Sequence, residues 1–342
     1  MNMQIDLEKG IANVGDVSRM KEVMARAKRG GRLVIGFIGG SITQGSLSST
    51  PQTCYAYRVY TWWKETFPQA EFVYCNAGIG GTTSEFGAAR VGTDLLAERP
   101  DFVIVEFSVN DESTEHFKET YEGLVRKILG AAWNPAVLLV HNVFYHNGAN
   151  AQVMHAAIGR HYDLPSVSMQ NSIYPEVVAG RIENRAITPD DLHPNDEGHA
   201  LVASVITYFL EQVRSGKLTG SNASFALGAK LPVPLTKNAY EDSVRIRNAA
   251  APDMAGLQQP TLDGFTPDET AQNEITDCFR YGWTAKKTGD AITFLVEGSC
   301  IAVQYRKSVK LPAPVALAVV DDDTEHAVRL DANFRSEERR VG

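Results

Sequence analysis

Four short segments of this chain set a nucleophile, a hydrogen-bond donor or a proton carrier beside glycine or proline. The first is Gly39-Gly40-Ser41-Ile42-Thr43-Gln44-Gly45. A serine on a glycine-rich strand-to-helix turn can expose its hydroxyl for attack, because glycine lets the backbone turn sharply. A serine capping a helix N-terminus accounts for the same residues equally well. No lysine follows, as a phosphate-binding P-loop requires, and Thr43 stands where a G-x-S-x-G elbow has its last glycine. The second segment, Asn76-Ala77-Gly78-Ile79-Gly80-Gly81-Thr82-Thr83-Ser84, fails the dinucleotide fingerprint at Thr83. Its backbone N–H groups can still face an anion, either a phosphate or the oxyanion of an acyl-transfer intermediate. The third, Phe107-Ser108-Val109-Asn110-Asp111, offers an amide donor for developing negative charge, or simply an Asx turn. The fourth is Thr188-Pro189-Asp190-Asp191-Leu192-His193-Pro194-Asn195-Asp196-Glu197-Gly198-His199. Pro194 holds His193 in an extended or turn conformation. Asp190 stands three residues before His193, so one loop can deliver both a carboxylate and an imidazole. His199 reads as a solvated or packing residue on the following helix. A metal is the weaker reading of this loop, because no further ligand has local spacing. Hydroxyl, imidazole, carboxylate and amide donors together suit acyl transfer.

The elements that must position these groups alternate along the chain. Helical periodicity covers residues 16–29, 55–66, 84–97, 116–129, 151–162 and 197–214. Between them lie short apolar runs at 33–38, 72–75, 102–105, 137–140 and 166–168, which read as strands buried on both faces. Strands alternating with helices imply βαβ units and a three-layer α/β domain with a parallel sheet. Ligands of such sheets gather at the carboxyl ends of the strands, and three of the four chemical segments begin there.

The texture changes after about Gly220. Residues 221–334 carry short alternating segments such as 291–296, 301–305 and 315–320, separated by Gly, Pro and Asp, which predict a β-rich, sandwich-like second domain. The expected division is a catalytic domain over 1–218 and an accessory domain over 219–334, with 335–342 (RSEERRVG) as a non-native tail. Those last residues equal one reading frame of a common sequencing adapter, so the β-rich domain is expected to lack its final strands.

The whole chain is 342 residues long, 44% hydrophobic and 22% charged, with a net charge of −8. That composition suits a sizeable core and disfavours nucleic-acid or anionic-membrane partners. Cys54, Cys75, Cys278 and Cys300 form no C-x-x-C pair and are expected to be buried free thiols. No signal-peptide pattern and no long apolar stretch is visible, so a cytoplasmic location is expected.

Taken together and in this order, the four segments resemble the GDSL-type, or SGNH, hydrolases. Those proteins carry blocks centred on Ser, Gly, Asn and D-x-x-H-P. Gly40-Ser41-Ile42-Thr43 resembles the nucleophile block, with Gly40 in place of the family's Asp, a variant found in its carbohydrate-esterase-like branches. Gly81 matches the oxyanion glycine. Val109-Asn110-Asp111 resembles the asparagine block, with Ser108 where glycine is usual. Asp190 to Pro194 matches the last block fully. The resemblance covers about residues 30–212 and implies a flavodoxin-like α/β/α fold. It also implies Ser41 as nucleophile, His193 as base and Asp190 as its orienting carboxylate, with Asp191 as the rival. The oxyanion would sit among the Ser41 N–H, the Gly81 N–H and the Asn110 amide. No cofactor and no metal is expected.

By the same analogy the substrate is a short acyl ester, acetyl by preference, on a carbohydrate such as a plant-polysaccharide fragment. Tyr55, Tyr145 and His146 are the candidates for lining its site, with core packing as the alternative for the aromatic residues near Tyr55. Tyr281, Trp283 and Tyr305 could stack on sugars from the second domain, which reads equally well as a packing or dimerisation module. The rival readings are a thioesterase or lysophospholipase with the same triad, and a non-catalytic carbohydrate-binding protein. Self-association is left open.

Overall fold

A computed structural model describes residues 5–220, 230–249, 257–268 and 278–334. The proposed non-native tail lies outside the described residues, as do parts of the expected accessory domain. Contacts divide the chain into two compact units, Met1–Arg245 and Ile246–Gly342.

The first unit is built on a six-stranded sheet in the order β1-β6-β5-β4-β2-β3. Its strands are β1 (Ile11–Asn13), β2 (Arg32–Gly39), β3 (Glu71–Gly78), β4 (Phe102–Glu106), β5 (Ala136–His141) and β6 (Ser166–Ser168). All neighbours run parallel except β1, which pairs antiparallel with β6 at the edge. The five parallel strands therefore follow the flavodoxin-like order, with the switch point between β2 and β4. The apolar runs become strands because both faces are covered: every residue of β4 and β5 is buried, as is every residue of β2 after Arg32. One face packs on α1 (Ser18–Lys28), α3 (Tyr55–Thr66) and α9 (Asp196–Arg214) through Met20, Val59, Trp63, Val202 and Phe209. The other packs on α4 (Ser84–Asp94), α5 (Glu115–Leu129) and α6 (Gln152–His161) through Ala88, Leu124 and Ile158. Truncating a buried aromatic such as Trp63 to Ala would cost about 3–5 kcal/mol. The remaining α-helices are α7 (Met169–Val178) and the single turns α2 (Ser41–Gln44) and α8 (Asn184–Ile187).

The first unit extends past residue 218 because residues 230–245 return to it. The carboxylate of Glu122 on α5 accepts the N–H groups of Leu235 (2.6 Å) and Thr236 (2.7 Å). Arg126 donates to Glu241 at 2.6 Å, and the Arg245 N–H donates to the Ala89 carbonyl at 2.9 Å. These polar anchors carry no strong hydrophobic period, so composition alone places the boundary too early.

In the second unit the strands are short: β7 (Thr261–Asp263), β8 (Thr266–Pro267), β9 (Trp283–Thr284), β10 (Ala291–Thr293), β11 (Val315–Ala318) and β12 (Val328–Asp331). They pair antiparallel as β7–β10, β8–β9 and β11–β12, three small two-stranded sheets. The expected strand at 301–305 forms no ladder. Of the four cysteines only Cys54 is buried; Cys75 and Cys278 are half-buried and Cys300 is exposed. Burial pushes the Cys54 thiol up to about 11, which keeps it protonated. Among the described residues no helix is long and apolar enough to cross a membrane.

Candidate active site

The site assembles at the carboxyl ends of β2, β3 and β4. β2 ends at Gly39, and after Gly40 the single turn of α2 begins with Ser41. Gly45, at φ 101°, closes that turn, and its N–H donates to the Ser41 carbonyl at 3.0 Å. Two carbonyls immediately behind the site, on Gly39 and Ala77, accept from the guanidinium of Arg90 at 3.2 and 2.6 Å. Arg90 is fully buried. A charged group held this way is expensive to desolvate, so its hydrogen bonds join the two strand ends firmly.

Asp190 and His193 lie on the loop between α8 and α9. One carboxylate oxygen of Asp190 accepts the backbone N–H groups of Leu192 (3.1 Å) and His193 (2.7 Å). The other oxygen lies 2.6 Å from His193 Nδ1. The opposite ring nitrogen, Nε2, lies 2.8 Å from Ser41 Oγ, across 152 residues of sequence. Burial draws the Asp190 carboxyl upward, but the hydrogen bonds from the His193 ring, the His193 N–H and the Leu192 N–H outweigh it. The group therefore stays ionised below the usual carboxylate range. Asp191 is turned elsewhere: at φ 70° it accepts from Asn184 (2.5 Å) and Arg185 (2.8 Å).

The glycine and asparagine segments flank Ser41. The Gly80 N–H donates to Gln44 Oε1 at 2.9 Å, which ties this loop to the helix that carries Ser41. Gly81 sits at φ 68°, and a Cβ added to it would meet nothing within 4 Å. A left-handed backbone facing open space favours glycine and leaves room for a ligand. Asn110 packs against Gly40, where an added Cβ would come within 2.1 Å of Asn110 Oδ1 and 3.1 Å of its Nδ2. The amide oxygen is buried and is the end nearer Gly40, with the NH₂ the farther. The same contact accounts for glycine at position 40: any side chain there would displace Asn110.

Of the residues expected to line a substrate site, Tyr55 cannot do so. It is fully buried, and its hydroxyl lies 2.8 Å from Thr43 Oγ1 beneath α2. Tyr145 is also buried, and its N–H donates to the Asp191 carbonyl at 2.8 Å, supporting the histidine loop. His146 is exposed beside Phe144. His199 is fully buried; its Nδ1 accepts the Tyr55 N–H at 3.2 Å, which makes it a packing residue. In the second unit Tyr281 is flanked by the guanidinium groups of Arg247 and Arg280. Trp283 packs edge-on against Phe294, and Tyr305 is half-buried. Among the described residues no three His, Cys, Asp or Glu side chains converge to hold a metal ion.

Arg90, Gln44 and Glu106 also hold the site together, although no motif assigns them that role. Glu106 ends β4 fully buried and accepts from both the N–H and the Oγ of Ser108 at 3.1 Å. Burial pushes its carboxyl up to about 7. A Glu after four apolar residues at a strand end was a signal for this position. Arg90 offered none, because arginine on a helix usually faces water.

With this geometry in hand, the relationships of the chain are informative. The GDSL-like lipase/acylhydrolase family matches residues 37–201. A two-domain esterase (CEX) active on acetylated mannans, co-crystallised with mannopentaose, is 65% identical and covers 97% of this chain and 85% of its own, with a TM-score of 0.87. The same esterase crystallised without mannopentaose gives 65% identity and a TM-score of 0.87, over 97% of this chain and 86% of its own. A mutant of the acetyl-xylooligosaccharide esterase Axe2 from Geobacillus stearothermophilus is 19% identical over 54% of this chain and 96% of its own, with a TM-score of 0.46. No curated protein sequence matches. On its identity with the two-domain esterase and the match across the α/β unit, the chain belongs to the GDSL-like lipase/acylhydrolase family and is a carboxylic ester hydrolase.

Proposed function

We propose that this protein removes acetyl groups from acetylated mannan-type oligosaccharides through a Ser41–His193–Asp190 triad and an acyl-enzyme. The observation that carries the reading is the unbroken chain from Asp190 Oδ2 through the His193 ring to Ser41 Oγ, at 2.6 and 2.8 Å. His193 Nε2 takes the proton as Ser41 Oγ attacks the ester carbonyl carbon. The resulting oxyanion is met by the Ser41 and Gly81 N–H groups and the Asn110 NH₂. The carbonyl re-forms, the bond to the sugar oxygen breaks, and the leaving oxygen takes the proton back from His193. Water then attacks the acetyl-Ser41 ester by the same route, returning the free serine and releasing acetate. Asp190 accepts the Nδ1–H throughout, which holds the ring in the productive tautomer and stabilises its charged form.

The acetylated-mannan preference is supported by the 65% identical esterase that acts on acetylated mannans. The test is hydrolysis of p-nitrophenyl acetate, butyrate and octanoate, then of acetylated manno- and xylo-oligosaccharides, by the wild type and by Ser41→Ala. Acetate and acetylated manno-oligosaccharides are expected to turn over, octanoate is not, and kcat of the variant is expected to fall on the order of 10⁶-fold. Full activity in Ser41→Ala would remove the nucleophile assignment. Equal turnover of octanoate would remove the acetyl preference alone.

A further inference from the structure

A second Asp–His pair lies behind the site, and the reading above gives it no role. Asp111 Oδ2 lies 2.9 Å from His155 Nε2, and both side chains are fully buried. The other oxygen, Asp111 Oδ1, accepts the N–H of Ser84 at 2.8 Å. Ser84 opens α4, three residues after Gly81. Asp111 is itself the neighbour of Asn110, and the N–H groups of both donate to the Phe107 carbonyl, at 3.0 Å from Asn110 and 2.9 Å from Asp111. One carboxylate thus joins the loop that carries Asn110 to the start of the helix that follows Gly81.

His155 is immobilised in turn. Its ring stacks on Tyr121 with centroids 3.6 Å apart and planes 4° from parallel. Its own helix is held to the same loop, because the Ala151 N–H donates to the Ser108 carbonyl at 2.7 Å. His155 Nδ1 is buried without a partner, so the ring's bonding is directed wholly through Nε2 to Asp111. A buried carboxylate with both oxygens engaged resists displacement, since moving it would strand charge in an apolar interior.

We infer that Asp111, held by His155, is a positioning residue for ester hydrolysis: it sets the separation of the two oxyanion donors that come from different loops, Gly81 and Asn110. The inference rests on the oxyanion assignment proposed above. Oxyanion donors act only when aimed at the site where charge develops, so displacement by about 1 Å can cost on the order of 100-fold in rate.

The test is a double-mutant cycle on p-nitrophenyl acetate hydrolysis with the full chain, using Asn110→Ala, Asp111→Asn and the pair. Asp111→Asn keeps the size and an acceptor for Ser84 but loses the charge. It is expected to lower kcat about 10- to 100-fold while KM moves less than about twofold. In the Asn110→Ala background the same substitution is expected to cost at least about threefold less, because one of the donors it aims is already gone. An unchanged kcat, or an equal loss in both backgrounds, overturns the inference and leaves the oxyanion assignment standing. Should Asn110→Ala itself leave kcat unchanged, the assignment falls and takes the inference with it. His155→Phe, which preserves the stack on Tyr121 and removes the bond to Asp111, gives the same reading if Asp111→Asn does not fold. Its kcat is expected to fall about fivefold or more at constant KM, and an unchanged kcat overturns the inference.

Discussion

Two D-x-x-H segments of the chain lie in loops, one in each compact unit, while a third, Asp196 to His199, opens α9; the local geometry of the two loops is nearly the same. In the first, the His193 N–H donates to Asp190 Oδ1 at 2.7 Å, and His193 Nδ1 lies 2.6 Å from Asp190 Oδ2. In the second, the His326 N–H donates to Asp323 Oδ1 at 3.2 Å, and His326 Nδ1 lies 2.7 Å from Asp323 Oδ2. Four residues are enough to orient an imidazole by a carboxylate, because the turn brings side chain and backbone together without help from the rest of the fold. The difference lies beyond the loop. The His193 side chain is only 14% exposed, with Ser41 Oγ on its far nitrogen. The His326 side chain is 82% exposed, so its far nitrogen is left to water. An Asp–His dyad is therefore a local property, while a serine hydroxyl opposite it is a property of the sheet.

Removing the imidazoles breaks the comparison most strongly. His193→Ala is expected to lower kcat for p-nitrophenyl acetate on the order of 10⁶-fold, because the proposed triad would act as a unit. His326→Ala is expected to leave kcat within about twofold, as surface substitutions away from a site generally do. A loss in His326→Ala approaching that of His193→Ala would mean that the second loop has a role in turnover that its exposure conceals.

Changing the carboxylates sharpens the same contrast at a smaller scale. Asp190→Asn retains the shape of the loop but favours the wrong tautomer of His193, and kcat is expected to fall on the order of 10⁴-fold. Asp323→Asn is expected to leave kcat unchanged. Asp191→Asn separates the two adjacent acids of the first loop. Asp191 is engaged with Asn184 and Arg185, so its loss is expected to cost less than about tenfold. A larger cost for Asp191→Asn than for Asp190→Asn would reverse the orienting assignment.

This contrast also explains what could be read from the sequence. The parallel sheet was legible because strands buried on both faces are continuous apolar runs, as in Phe102 to Val105. The pair Asp190 and His193 was legible because its spacing is local. Asp111 and His155 were not, because 44 residues separate them and only the packing of α6 beside the β4 loop brings them together. Strand β1 is three residues long and lies at an edge, too short for any period to register. Helix α7 contains Pro175, which argues against a helix when the sequence is read alone. Tyr55 misled for a related reason: an aromatic just after the Ser41 turn can face the site or the core, and the first position of α3 faces the core.

The two loops differ last in what surrounds them, and stability rather than turnover records it. The first unit encloses titratable groups that the exposed loop of the second does not. Burial holds His199 at about 4 and His141 at about 3, below the ordinary 6.5, with the neighbouring His155 adding to the effect on His141. A depressed histidine takes its proton less readily folded than unfolded. Its penalty is absent above pH 6.5 and grows as pH falls toward the folded value. Glu106 works in the opposite sense: raised by burial from 4.5 to about 7, it keeps its proton longer in the folded chain, so stability rises as pH falls from 7 to about 4.5. Between about pH 6.5 and 4.5 the two histidines oppose the single carboxyl, leaving a net uptake of about one proton on unfolding. Stability should then fall by roughly 1 kcal/mol for each pH unit of acidification. His199→Asn keeps an acceptor for the Tyr55 N–H and removes one titrating group, so its urea midpoint should be nearly flat over the same range. Urea titrations of both proteins at half-unit steps between pH 4.5 and 7.5 decide the matter. A slope absent from the wild type would show that a buried histidine of the first unit takes up its proton while the chain is still folded, and a fall that persists in His199→Asn would show that Glu106 does not oppose His141.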